Sequence, residues 1–180
     1  IIQMPNDFKS ELFHKQKLLE LALSLNPDWI VWLDPDEIFD RIGELELRNL
    51  CKYGDEKGID SFSFLFYNLW KTEQNYRVDE LWNKNWQIKL WKNTGNLRFD
   101  IKEGLHLPQY PFGLNSFRKT NIKLIHYGFL TLEKITQKYD LYKKHGQAGP
   151  LLERIKDETT LKIKKFSREW FPLSVLESHD

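Results

Sequence analysis

The chain has 180 residues, a formal net charge of +1 and a single cysteine, Cys51. This length suits one domain with a substantial core, and the small net charge argues against a nucleic-acid-binding protein, which is usually strongly basic. The lone cysteine excludes an intrachain disulfide framework, and no apolar run approaches the roughly 20 residues of a membrane span, so we expect a protein without a transmembrane segment, in the cytoplasm or at the inner face of a membrane.

The first third of the chain predicts helix, strand and helix. Asn6 or Asp7 is expected to cap a helix that continues to about residue 25, because apolar residues recur there at helical spacing. Residues 29–33 are nearly all apolar, which predicts a strand buried on both faces in a parallel or mixed sheet. A second helix is predicted over residues 42–57, ending at Gly58.

The remaining segments predict a sheet followed by closing helices. Three apolar stretches predict strands, at residues 60–70, 86–91 and 121–129. Helices are predicted at residues 131–145 and from residue 150 to about 166, within a closing helical region at 131–180. The order of elements predicts an α/β fold, a mixed sheet flanked by helices, in one domain over residues 1–180.

Two carboxylates directly follow the first predicted strand, in the sequence WIVWLDPDEIF at residues 29–39. Pro35 favours an extended conformation at Asp34, and residues two apart along an extended chain point the same way, so Asp34 and Asp36 can reach one point beyond the strand. Ligands of open α/β sheets bind at the carboxyl ends of strands. Two hard oxygen ligands there suit Mg²⁺ or Mn²⁺, which also bind phosphate oxygens.

The same two carboxylates have a simpler interpretation, in which they cap the helix that follows. A calcium-binding EF-hand loop is excluded, because Ile38 takes the place of its third ligand and Phe39 replaces its glycine. An Asp-x-Asp pair alone does not decide between a metal site and a helix cap.

Segments beyond this pair resemble family-2-like glycosyltransferases of the GT-A fold, in order and spacing over residues 28–142. Pro35 stands where these proteins usually have a small residue, and their N-terminal nucleotide-binding strands have no counterpart here. The segments that carry the resemblance are WIVWLDPDEIF, Tyr76-Arg77-Val78-Asp79 with Trp82, Gly104-Leu105-His106 with Pro111, and Ile125-His126-Tyr127-Gly128 with Lys138 and Tyr139.

The resemblance implies a GT-A-like fold that lacks its N-terminal part and an inverting, metal-dependent hexosyltransferase. Such an enzyme moves a sugar from a nucleotide-sugar donor to a hydroxyl of a glycan or another acceptor, with Mn²⁺ or Mg²⁺ as cofactor. A carboxylate must remove the acceptor proton, and the candidates are Asp79, Glu80 and Glu103. Asp79 is favoured because Arg77 points to the same side of a strand, although the two residues could simply form a surface ion pair.

The resemblance also suggests roles for residues in the other segments. His126 is expected to be a third metal ligand, although a histidine on an apolar strand is often a core residue. Four residues are expected to lie at the substrate: Glu37, Arg77, Trp82 and His106. The role expected of Glu37 is to support a metal ligand or to begin the following helix. Aromatic residues make up 14% of the chain, and flat rings can stack on a sugar. The tryptophans considered for such a platform are Trp70, Trp82, Trp86 and Trp91.

Three other functions fit the same residues. A metal-dependent phosphohydrolase or nucleotidyltransferase would use the Asp pair on phosphate, and it would turn over without a sugar acceptor. A carbohydrate-binding module would use the aromatic residues as a platform and the acids as a structural Ca²⁺ site, and its glycan binding would ignore nucleotides. A degenerate domain would keep the fold without catalysis.

Overall fold

The computed structural model describes residues 11–79, 82–99, 109–146 and 149–165. These residues form a mixed α/β structure, as predicted, with a five-stranded sheet flanked by helices. The predicted N-caps Asn6 and Asp7 lie outside them. The elements in chain order are α1 (Glu11–Ser24), β1 (Trp29–Val31), β2 (Glu37–Phe39), α2 (Arg41–Lys57), β3 (Ser61–Asn68), β4 (Asn75–Arg77), β5 (Trp86–Lys92), β6 (Phe117–His126), α3 (Leu132–Lys144), α4 (Pro150–Lys156) and β7 (Ile163–Lys165).

The main sheet has the strand order β1-β5-β3-β6-β2. Strands β3 and β6 are parallel, and the other neighbours are antiparallel. A separate two-stranded sheet joins β4 to β7. The pairing of β2 with β6 and of β6 with β3 brings the ends of these strands together, and the candidate site lies there.

Two hydrophobic clusters cover the main sheet. Successive side chains of a strand point to opposite faces, so Leu90 joins the cluster beneath α2 and Trp91 joins the cluster beneath α1. Phe62 and Phe64 on β3 are completely buried in the α2 cluster, which confirms the predicted apolar face of that strand. A third cluster, beneath α3 and α4, contains Trp82.

Both ends of helix α2 are set by residues within or next to the helix. Asp40 is its N-cap, and the Asp40 side chain accepts a hydrogen bond from the Gly43 backbone. The helix ends at Gly58, whose φ of +67° lies in the left-handed region that glycine adopts without a steric penalty. The predicted boundary at Gly58 is confirmed.

Two predicted elements are wrong in part. Strand β1 is shorter than predicted and pairs only with β5 among the described residues, and Val31 is 44% exposed, so β1 is not buried on both faces. The last predicted helix ends at Lys156, because the Asp157 side chain accepts a hydrogen bond from the Thr159 backbone and turns the chain. Strand β7 follows where helix was expected.

No helix in the described part of the chain is both long enough and apolar enough to cross a membrane.

Candidate functional site

The loop between β1 and β2 holds the Asp-x-Asp pair. The Glu37 backbone donates to the Asp34 carbonyl at 3.0 Å, and the Asp34 backbone donates to the Glu37 carboxylate at 3.0 Å, so the loop is closed by reciprocal hydrogen bonds. Asp40, rather than Asp34 or Asp36, caps α2. The helix-cap interpretation of the pair is therefore wrong.

A buried lysine on the sheet contacts the carboxylates of this loop. The sequence analysis did not predict this residue. Lys89 on β5 is completely buried, and its Nζ lies 2.7 Å from Glu37 Oε2 and 3.3 Å from Asp34 Oδ2. Burial and the charge of Asp34 raise the pKa of Glu37, and the Lys89 ammonium opposes them. A buried ammonium needs a counter-charge, so Glu37 and Lys89 act as a pair that fixes Asp34.

His126 ends β6 directly opposite the loop. The register places His126 beside Glu37 on β2 and beside Asn68 on β3. His126 Nδ1 lies 2.7 Å from Asn68 Oδ1, and His126 Nε2 lies 3.2 Å from Asp36 Oδ2. Burial lowers the pKa of His126, although the neighbouring Asp36 carboxylate acts in the opposite direction.

Lys138 of α3 completes the cluster. Its Nζ lies 3.2 Å from both Asp36 Oδ2 and His126 Nε2. An ammonium group can only donate hydrogen bonds, so His126 Nε2 is the acceptor and Nδ1–H donates to Asn68. The Lys138 ammonium favours the charged form of the Asp36 carboxyl and so lowers its pKa. Asp36 and His126 therefore present two acceptors to one cation.

The cluster lies in a cavity of about 610 Å³, whose lining includes Asp34, Asp36, Glu37, Trp82 and His126 among the predicted site residues. The lining also includes Asn68, Lys89 and Lys138. Among the described residues, the buried Asn68 Nδ2 and Trp82 Nε1 have no hydrogen-bond partner. Both atoms have almost no solvent-accessible surface, whereas the Lys138 side chain is 25% exposed, so its ammonium is an accessible donor for a ligand rich in acceptor oxygens.

The cluster fits a divalent cation of the kind that the resemblance implies. Adjacent ligands around an octahedral ion with bonds of about 2.1 Å are about 3.0 Å apart, and Asp36 Oδ2 and His126 Nε2 are separated by 3.2 Å. The Nδ1–H bond to Asn68 leaves the Nε2 lone pair directed at the site, as in metal-bound histidines. Among the described residues no three His, Cys, Asp or Glu side chains form a metal-binding group, so water or phosphate would supply further ligands.

The predicted base Asp79 and its partner Arg77 lie away from this cluster. Arg77 is completely buried and donates to both Asp79 oxygens, at 2.6 and 3.0 Å. The Arg77 guanidinium also lies 4.5 Å from the centroid of the Trp70 ring and 4.9 Å from that of Trp82. Arg77 and Asp79 do not line the cavity. The pair is thus internal rather than on the surface, and it holds Trp82 in the cavity wall.

The remaining predictions have different outcomes. Glu80, Glu103 and His106 lie outside the described residues. Trp70 and Trp91 are 2% and 0% exposed, so they are core residues and not parts of a sugar platform. Trp82 is the tryptophan of the predicted set that lines the cavity.

Comparison with known proteins gives no independent assignment, because no protein-family model and no curated protein matches the chain.

Proposed function

We propose that the chain is a GT-A-like, metal-dependent glycosyltransferase domain that moves a sugar from a nucleotide-sugar donor to an acceptor hydroxyl, with inversion. One observation carries the proposal. Residues from three separate segments of the resemblance, Asp36, Trp82 and His126, line one cavity together with Lys138. A cavity lined by residues that are distant in sequence is typical of a ligand-binding site.

The metal ligands in this proposal are Asp36 and His126, with Mn²⁺ or Mg²⁺ as the ion. Asp34, the third predicted ligand, lines the same cavity but lies against Lys89 and forms no three-residue metal group with them among the described residues. A bound divalent cation would neutralise the charge that develops on the departing diphosphate. Imidazole as a ligand favours Mn²⁺ over Mg²⁺. Asn68 orients His126 through Nδ1, and Lys89 keeps Asp34 and Glu37 in place.

The rest of the cavity suits the donor. Phosphate and sugar oxygens are acceptors, and the partly exposed Lys138 ammonium offers them a donor at the cavity. Trp82 also offers an aromatic ring to a sugar. Its ring is fixed edge-on against Phe129 at a centroid distance of 5.0 Å, so little side-chain entropy is lost when a ligand packs on it.

The acceptor base must have a free lone pair within hydrogen-bond reach of the acceptor hydroxyl. Arg77 engages both Asp79 oxygens, so Asp79 is better suited to position Trp82 than to accept a proton. Glu80 and Glu103 are then the base candidates to test. We also propose a cytoplasmic location, because a single cysteine, Cys51, fits a reducing compartment.

A donor screen tests this function against its rivals. The protein is incubated with Mn²⁺ and a panel of UDP- and GDP-sugars, with and without mixed monosaccharide and disaccharide acceptors, and released UDP or GDP is measured by chromatography. We expect release that requires Mn²⁺ and increases when an acceptor is present. Release of UMP or GMP together with sugar 1-phosphate, without need of an acceptor, would indicate a phosphohydrolase. Glycan binding without any nucleotide effect would indicate a carbohydrate-binding module.

A further inference from the structure

The ammonium group of Lys138 occupies the position that a metal ion would take between Asp36 and His126. We propose that Lys138 is a built-in competitor of the metal ion, which holds both ligands in place until a divalent cation and an anionic diphosphate bind together. This inference rests on the proposed function, because it assumes that Asp36 and His126 are metal ligands.

Three contacts show that this position is built for a cation. Lys138 Nζ is 3.2 Å from Asp36 Oδ2 and 3.2 Å from His126 Nε2, and it lies 4.8 Å from the centroid of the Phe129 ring, whose face attracts cations. Two acceptors and an aromatic face thus surround one positive charge. The Lys138 side chain is only 25% exposed.

Gly128 makes room for this arrangement. A Cβ at position 128 would overlap Lys138 Nζ and would lie 2.5 Å from His126 Nε2, a distance that real contacts do not show. Any larger residue would therefore push Lys138 away from the two acceptors. The close approach of Lys138 therefore explains why position 128 is a glycine.

The competition follows from electrostatics. An ammonium group and a divalent cation repel each other strongly at a few ångströms in a partly buried site, so Lys138 must leave Asp36 before these ligands can take up a metal ion. Once the ammonium has left Asp36, it has no counter-charge in a partly buried site unless another anion takes the place of that carboxylate. Lys138 lines the same cavity as the proposed donor, so a diphosphate can supply that anion. Metal ion and diphosphate are then expected to bind with positive coupling, which is reciprocal by thermodynamic necessity.

The test compares Lys138→Met with Lys134→Met, a matched change of an exposed lysine one turn earlier on α3. Methionine keeps the apolar stem and removes the charge. Binding of Mn²⁺ alone is measured by calorimetry, and the measurement is repeated with saturating UDP or GDP. We expect Lys138→Met to bind Mn²⁺ alone about 10-fold more tightly than wild type, equivalent to about 1.4 kcal/mol. We also expect it to show less tightening of Mn²⁺ binding by the nucleotide, and Lys134→Met should behave like wild type.

Any other result for Lys138→Met overturns the inference, and the result shows whether the proposed metal site fails as well. If Lys138→Met and wild type bind Mn²⁺ equally well, Lys138 does not compete and the proposed function stands. If Lys138→Met binds Mn²⁺ more weakly, Lys138 supports the metal site rather than occupying it. If neither protein binds Mn²⁺ in any condition, the metal site of the proposed function is wrong, and this inference fails with it. A thermal melt of each variant shows that the compared proteins are folded.

Discussion

Replacing Asp79 by alanine is expected to lower the free energy of unfolding by about 3–5 kcal/mol, the usual cost of removing one partner from a buried ion pair. Arg77 would keep its hydrogen bond to the Arg154 carbonyl and its stacking on two tryptophans. Its guanidinium is completely buried, however, and it would have lost its counter-charge. The change is measured as a shift of the urea midpoint at constant slope.

Asp55→Ala is the matched control for this result. Asp55 pairs with Lys92 at 2.7 Å, but both side chains are more than 40% exposed, so water screens the pair and its loss should change stability little. A similar midpoint for the Asp79 and Asp55 variants would mean that water reaches the Arg77 guanidinium. The internal arrangement of Arg77, Asp79 and Trp82 would then be wrong.

Asp36→Asn is expected to weaken UDP or GDP binding in Mn²⁺ by about 100-fold or more, because even residues that only orient a metal ligand change metal affinity by about 10–100-fold. Asparagine preserves the shape of the side chain and removes its charge. The variant should therefore remain folded, and it should bind nucleotide in Mn²⁺ no better than the wild type does in EDTA. Calorimetric titration measures both affinities.

The control for Asp36→Asn is Asp55→Asn, because Asp55 is a carboxylate outside the lining of the cavity. It should keep the wild-type affinity. Wild-type affinity in Asp36→Asn would show that the nucleotide does not depend on the Asp-x-Asp loop, and the proposed metal site would have to be abandoned.

Local signals predicted those parts of the fold that depend on neighbouring residues. The alternation of Phe62, Phe64 and Phe66 predicted β3, and Gly58 predicted the end of α2. Strand β2 was missed because three residues carry little periodicity and, unlike the wholly apolar β1, it begins with the charged Glu37. The highly charged stretch after residue 150 predicts one helix, but α4 ends at Lys156 and β7 is held by pairing with β4.

In the candidate site too, contacts between residues close in sequence could be predicted, and contacts made only by the fold could not. The contact between Arg77 and Asp79 follows from a spacing of two residues on an extended chain. Asp34 and Asp36 were expected to share such a spacing, but they lie in a turn closed by the Glu37 backbone and the Asp34 carbonyl. Lys89 was missed because a lysine in an alternating strand usually faces solvent, and only the fold shows that it meets Glu37. The sequence contains no sign of the bond from His126 to Asn68, because their proximity arises from the parallel pairing of β3 and β6.

The most direct test of a metal-dependent nucleotide site is calorimetric titration of UDP and GDP into the wild-type protein, first in Mn²⁺ and then in EDTA. Asp36 and His126 present two acceptors 3.2 Å apart at a cavity of about 610 Å³. We expect at least one of the two nucleotides to bind in Mn²⁺ and to lose its binding in EDTA. Binding that EDTA leaves unchanged, or no binding of either nucleotide in Mn²⁺, would contradict the proposal.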